Sequence, residues 1–422
     1  MTFPFLDDFL RIYRTSAYLV IVTLRSCYNE NGGGAPASIK CGGDDLEPKE
    51  KTASTLNTIV RIIILLVLAV ALLYVIVNSE DLKTSRLMAF ITGKRFDREQ
   101  ITDFSFAPDP ANAFAMYQDG IAILSSTGLS VLDGSGDERL LVPAKYSKPV
   151  IKAEGKYLVG YDVGGTRWIY IDDYKILKNE LSESTILNAE INAKGWAVIV
   201  TQRIGSKATC TVYNNALERV YEWISPERYI TCTDLSDDCK SAAVGGLRQE
   251  NAKIVSTVIL LRLDSETPYA QVDIEHVVIL DMKYLSDGSL AVLTENSVMV
   301  IDSNGKLRGK FEFDSELLAE YDFDGADFLL LRLQKSDSAE ISDVHLLDFD
   351  ANREQTVSVS NIISMDAKEK YIGILTSDKV IVYNNNLEKE FESEIPAGSK
   401  KLLIREDGAA LVLSTVEATI IH

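Results

Sequence analysis

From about Ile101 onward the chain repeats one unit: an apolar run, a turn, a second apolar run that closes on Asp or Asn, and a more polar run after it. The closing residues end Leu129-Ser-Val-Leu-Asp133, Trp168-Ile-Tyr-Ile-Asp172, Cys210-Thr-Val-Tyr-Asn214, Ile259-Leu-Leu-Arg-Leu-Asp264, Val298-Met-Val-Ile-Asp302, Val344-His-Leu-Leu-Asp348 and Val380-Ile-Val-Tyr-Asn384. Successive closing residues are 39, 42, 50, 38, 46 and 36 apart. That spacing centres near the period of a four-stranded propeller blade, roughly 40 to 50 residues. Asp and Asn suit the turns because their side chains hydrogen-bond the local backbone and tolerate left-handed geometry; calcium binding is the alternative use of the same residues.

Some ten residues before each turn lies another apolar run, as in Gly120-Ile-Ala-Ile-Leu124, Trp196-Ala-Val-Ile-Val200 and Tyr371-Ile-Gly-Ile-Leu375. Apolar on both faces, these read as second strands deep in a sheet that neighbours cover. The end of the chain supplies three strands, Leu402-Leu-Ile404, Ala410-Leu-Val-Leu413 and Ala418-Thr-Ile-Ile421, and then stops where a fourth would follow. An unmatched strand, 101–107, stands ahead of the first blade. Pairing it with the last three closes the ring and removes an open sheet edge. The fold class is therefore all-β, an eight-bladed β-propeller, with seven blades the alternative if the long Tyr229 to Asp273 stretch is misparsed. A sandwich array leaves the split last unit unexplained, and the gaps between strands are too short for the helices of an α/β fold.

Ahead of the repeat, Thr58 to Val77 reads as about 20 apolar residues with Arg61 alone charged at the edge, where its stem snorkels to the headgroups. The expected organisation is an N-terminal segment with flexible linker over 1–57, a transmembrane helix over 58–78, a juxtamembrane linker over 79–100 and the propeller over 101–422. A cleaved signal peptide does not fit, because over fifty residues precede the apolar stretch. Phe3 to Leu24 is apolar but broken by Asp7, Asp8, Arg11 and Arg14, which suits an interfacial helix or a leader translated from an upstream start codon. The basic residues Lys83, Arg86, Lys94, Arg95 and Arg98 follow the span closely, so the positive-inside count does not favour a translocated C-terminal domain. Large domains translocate regardless of flanking charge.

Acidic residues number 62 against 43 Lys and Arg, a formal charge of −19. Such a surface repels phosphate backbones, so nucleic acid is not expected as a partner. The five cysteines match no zinc pattern. Cys232 and Cys239 flank a turn as a candidate disulfide, the other reading being three separate thiols with Cys210. His276, His345 and His422 form no metal-ligand spacing, and no nucleophile elbow, P-loop or dinucleotide fingerprint occurs. No catalytic, cofactor-binding or metal-ligating residue is singled out. Trp168, Trp196 and Trp223 read as blade packing, with stacking on a ligand at the channel mouth the alternative.

A single helix such as Ile62 to Val77, followed by blades carrying Gly120-Ile-Ala-Ile-Leu124 and Leu129-Ser-Val-Leu-Asp-Gly-Ser-Gly136, resembles an uncharacterised family of single-pass, membrane-anchored propeller proteins from clostridia-like bacteria. The resemblance spans about Thr58 to His422 and implies a domain held outside the cell membrane. More distantly the chain is similar to WD40-type and quinoprotein-type propellers. It lacks the Trp-Asp dipeptide of the first and the regular tryptophan docking motif of the second, so no quinone or other cofactor is expected. The function expected is an extracytoplasmic binding or scaffolding module for protein, peptide or glycan. A hydrolase or lyase with its site in the channel is the alternative, and a transmembrane sensor a weaker one. Convergent, shifted acids and bases in the channel mouth favour the enzyme; an apolar patch on one rim favours binding.

Overall fold

The computed structural model describes residues 102–422 except 251, 314, 337–339 and 352–353; the stretch expected to cross the membrane, 58–78, lies outside them. Among the described residues there are strands and turns, and no helix is long and apolar enough to cross a membrane. The strands, numbered β1 to β32 in chain order, form eight four-stranded antiparallel sheets. Seven are meanders of four consecutive strands, and the eighth is split. Its inner three strands are β30 (Lys401–Ile404), β31 (Ala410–Leu413) and β32 (Glu417–Ile421), and its outer strand is β1 (Thr102–Ser105), which runs antiparallel to β32 with Thr102 opposite Ile420. The molecule is an eight-bladed β-propeller. The long Tyr229 to Asp273 stretch is one ordinary blade whose middle hairpin, β15 (Ser241–Glu250) with β16 (Lys253–Arg262), has ten residues in each strand.

The alternation of a strand explains why these sheets stack. In β11 (Ala197–Thr201), Val198 and Val200 face the following blade while Ala197 and Ile199 face the preceding one, and all four are buried. Every second strand is apolar on both sides for this reason. The core is eight such interfaces, one between each pair of neighbouring blades. The interface that closes the ring sets Leu411, Leu413 and Ile420 of the last blade against Ile121 and Ile123 of the first. Outermost strands alternate instead, as in β25 (Glu354–Ser360), where every second residue is exposed.

The Asp and Asn turns work locally. Asn214 accepts hydrogen bonds from the backbone N–H of Ala216 and Glu218 through Oδ1, and Asp302 does the same for Asn304 and Lys306. The left-handed residue is the fourth of the turn rather than the Asp or Asn: Gly136, Leu217, Gly305, Ala351 and Leu387 all have φ between 53° and 82°. Cys232 and Cys239 are free thiols, and the candidate disulfide between them is not formed: Cys232 lies buried in an inner strand, and the Cys239 Sγ accepts a hydrogen bond from Asn192.

Two neighbouring blades come close at Gly309, in β21 (Leu307–Glu312), the outer strand of the fifth blade. A Cβ there would collide with the Asp350 carbonyl oxygen, which belongs to a turn of the sixth blade. Beside it Arg308 ion-pairs with both Asp350 and Asp287. Backbone has to move to admit a methyl group, so Gly309→Ala is expected to cost about 1–3 kcal/mol, read as a lower denaturant midpoint at unchanged slope.

Candidate functional site

The innermost strands build the channel wall. Five are β6 (Pro149–Glu154), β10 (Ile186–Ile191), β18 (Ile279–Tyr284), β22 (Leu317–Asp322) and β26 (Ile362–Lys368). Each alternates apolar residues, which pack into the blade interfaces, with polar ones: Lys152 and Glu154, Asn188 and Glu190, Asp281 and Lys283, Glu320 and Asp322, then Ser364, Asp366 and Lys368. A period-two charge pattern just upstream of each apolar second strand was the available signal for this wall. The apolar runs and closing turns that mark the blades do not carry it.

Many of these side chains satisfy backbone. The inner strand of a blade pairs on one edge only, and its other edge leaves N–H groups unpaired. Carboxylates of the preceding blade accept them. Met365 N–H donates to Glu320 Oε2 at 3.1 Å, Ala367 N–H to Asp322 Oδ2 at 3.0 Å, and Ile404 N–H to Asp366 Oδ2 at 2.6 Å. In β14 (Tyr229–Leu235), Asp234 accepts the Tyr284 N–H of the next blade at 2.5 Å. Burial raises these acids. Asp234 is pushed up to about 7, Asp322 is raised by burial and by the charge of Asp324, and Asp366 by burial and by Asp322.

A second group is ion-paired, partly across the channel. Lys152 of the second blade meets Glu190 of the third at 2.9 Å. Glu154 of the second blade reaches Lys283 of the fifth at 3.3 Å and Lys368 of the seventh at 3.8 Å, and Lys283 also meets Asp324 at 3.3 Å. Lys283 holds the Asp324 carboxyl below the usual range, and Asp324 together with Glu154 holds Lys283 well above its own. Glu154, Lys283, Asp324 and Lys368 line a cavity of about 160 Å³ at one mouth. That mouth lies on the face bearing the turns from first to second strands, here the turn face. The opposite, linker face carries the loops between blades and between second and third strands.

The channel thus holds converging, shifted acids and bases, but the most strongly raised carboxylates are committed to neighbouring N–H groups, and Lys152 and Lys283 to carboxylates. Among the described residues no group of His, Cys, Asp and Glu fits a metal ion. His276 is an exposed turn residue and His345 is buried in an outer part of the sixth blade, its Nδ1 at 2.6 Å from Glu354. Trp168, Trp196 and Trp223 pack within blade interfaces. The linker face carries exposed apolar side chains through four successive blades: Tyr229 and Ile254, Leu280, Leu317 and Ile341, and Ile363, with Tyr229 and Ile341 each 58% exposed.

Asp234 gives a measurable pH signature. Its folded pKa of about 7 exceeds the value of about 4 in an unfolded chain. Between those values the folded state holds a proton the unfolded state has released, so this contribution is full below pH 4 and is lost as pH rises through 7. Asp234→Asn keeps an acceptor for Tyr284 and removes the titration. Denaturant unfolding at pH 5 and pH 8 is expected to show a smaller loss of stability for the variant than for the native chain; equal losses contradict the assignment.

Among solved structures, the chain is similar to the C-terminal WD40 domain of Sif2, with a TM-score of 0.54 at 10% identity over 75% of this chain and 97% of that one. BamB from Moraxella catarrhalis gives 0.48 at 13% identity over 75% and 98%, and apo AztD from Citrobacter koseri 0.49 at 12% over 69% and 88%. At such identities the likeness to the Sif2 domain speaks for the fold alone. No curated protein matches the sequence. The profile described as "Family of unknown function (DUF5711)" matches residues 98–420, and the chain belongs to that family.

Proposed function

We propose that this protein is a binding or scaffolding module, tethered to the cell membrane by the apolar stretch 58–78 with its propeller outside the cytoplasm, and that its linker face docks a protein partner. The observation that carries the reading is the contrast between the two ends of the channel. At the turn face charges answer one another, whereas the linker face leaves Leu280, Leu317, Ile341 and Ile363 open to water on consecutive blades. Exposed aliphatic side chains grouped on one face mark a protein contact better than a glycan contact, which draws on aromatic rings. The hairpin of β15 and β16 adds to this surface. Arg248 to Glu250 and the facing Lys253 and Ile254 run past the inner strand, where Tyr229 pairs with Leu247, and carry Ile254 above the face.

A second reading, an enzyme working in the channel, is favoured by Asp234, which lines the turn-face cavity with a pKa close to neutrality.

A photo-crosslinking residue placed at Leu280 or Ile363 of the full chain in intact cells separates these readings from the docking proposal. Adducts from both positions, none from the turn-face positions Ile176 and Leu307, and removal of the propeller by protease added outside the cells are the expected results. Equal adducts from both faces, or protection from protease until lysis, overturn the proposal.

A further inference from the structure

We propose that the turn-face mouth of the channel binds a compact zwitterion of the amino-acid class, its carboxylate on Lys368 and its ammonium on Glu369 and Asp237. The two lysines of the mouth are not equally occupied. Lys283 has carboxylate oxygens of Glu154 and Asp324 both at 3.3 Å. Lys368 has Glu154 alone, at 3.8 Å, and donates no hydrogen bond among the described residues, although its side chain is only 24% exposed. An ammonium carries three donors, and those of Lys368, which also lies in the field of Asp324 and Glu406, are open at the cavity to water or to an anionic ligand group. On the rim of the same cavity the side chains of Glu369 and Asp237 are exposed, have no ion pair or hydrogen bond among the described residues, and are open to a cationic ligand group.

The charge balance selects the ligand. Glu154, Asp234, Asp237, Asp324 and Glu369 outnumber Lys283 and Lys368 around the cavity, so a simple anion meets net repulsion. A simple cation leaves Lys368 unanswered. A molecule that presents both charges within a few bonds satisfies both sets at once, and the cavity of about 160 Å³ has room for several waters or one small solute. The placement of Glu369 is fixed by the backbone: it has φ of 54°, bridges Gly325, and its carbonyl accepts the Ala326 N–H at 2.9 Å. This site is separate from the linker face and stands or falls independently of partner docking there.

The test is calorimetric titration of the full-length protein with L-alanine, using acetate and methylammonium as half-ligands at the same millimolar concentrations. Binding of alanine, with neither half-ligand binding comparably, is expected. Lys368→Met and Glu369→Gln should each weaken it by about tenfold or more, while Glu340→Gln on the other face leaves it unchanged. Glu369 is exposed, so its variant keeps the test decisive even where loss of Lys368 harms folding. No heat from alanine, equal binding of acetate or methylammonium, or full affinity in Glu369→Gln overturns the proposal.

Discussion

Each blade is a sheet with apolar side chains on both faces, and neither face tolerates water. A single blade of this kind has no stable existence; its residues fall into place only when a neighbour covers each side, which makes stacking obligatory and propagates from blade to blade. Stacking alone leaves two raw faces at the ends of the row. Closing the row removes both, and the final interface of Leu411, Leu413 and Ile420 with Ile121 and Ile123 is what does so. The split last blade ties that closure down, because its outer strand comes from the beginning of the domain and its other three from the end.

Closure has a consequence at the axis. Eight inner strands each present an unpaired edge toward the middle of the ring, and backbone groups there need partners. The chain supplies carboxylates that cross from one blade to the next, at Asp234, Glu320, Asp322 and Asp366. Burial first, and then the neighbouring acids, raise their pKa values, and Lys152 and Lys283 are drawn in as counter-charges. Much of the charge in the channel is therefore explained by architecture. Lys368 and the rim acids Glu369 and Asp237 are what the architecture leaves over, and the apolar residues of the linker face are a second remainder that packing does not use.

The fold was legible because its signals are local and repeated. The closing Asp and Asn turns, the doubly apolar second strands such as Gly120 to Leu124, and the orphan strand ahead of Ala113 each mark a position in a blade, and together they give eight. The channel was not legible in the same way. Lys152 and Glu190 look like ordinary surface charges one blade apart, Glu154 lies three and five blades along the chain from its partners, and only closure brings it opposite Lys283 and Lys368. The linker-face residues were hidden for the opposite reason: Leu280 and Ile363 sit beside buried neighbours, and the register shifts that accompany them in β18 and β26 depend on pairing rather than on composition. The apolar stretch 58–78 is read from sequence, and its place in the functional account rests on that reading.

Ring closure by β1 is the claim on which the account turns, and amide hydrogen exchange tests it most directly. Two prolines at 102 and 104 of the full chain, the positions that alternate with the Phe106 N–H donated to Val416, remove the N–H groups of β1 that face β32 without shortening the protein. The account predicts that exchange then accelerates in β32 (Glu417–Ile421) and across the interface between the last and first blades, with a lower cooperative unfolding temperature. Unchanged protection of β32 and an unchanged unfolding temperature would contradict it, and would mean that the ring is held shut by blade stacking alone.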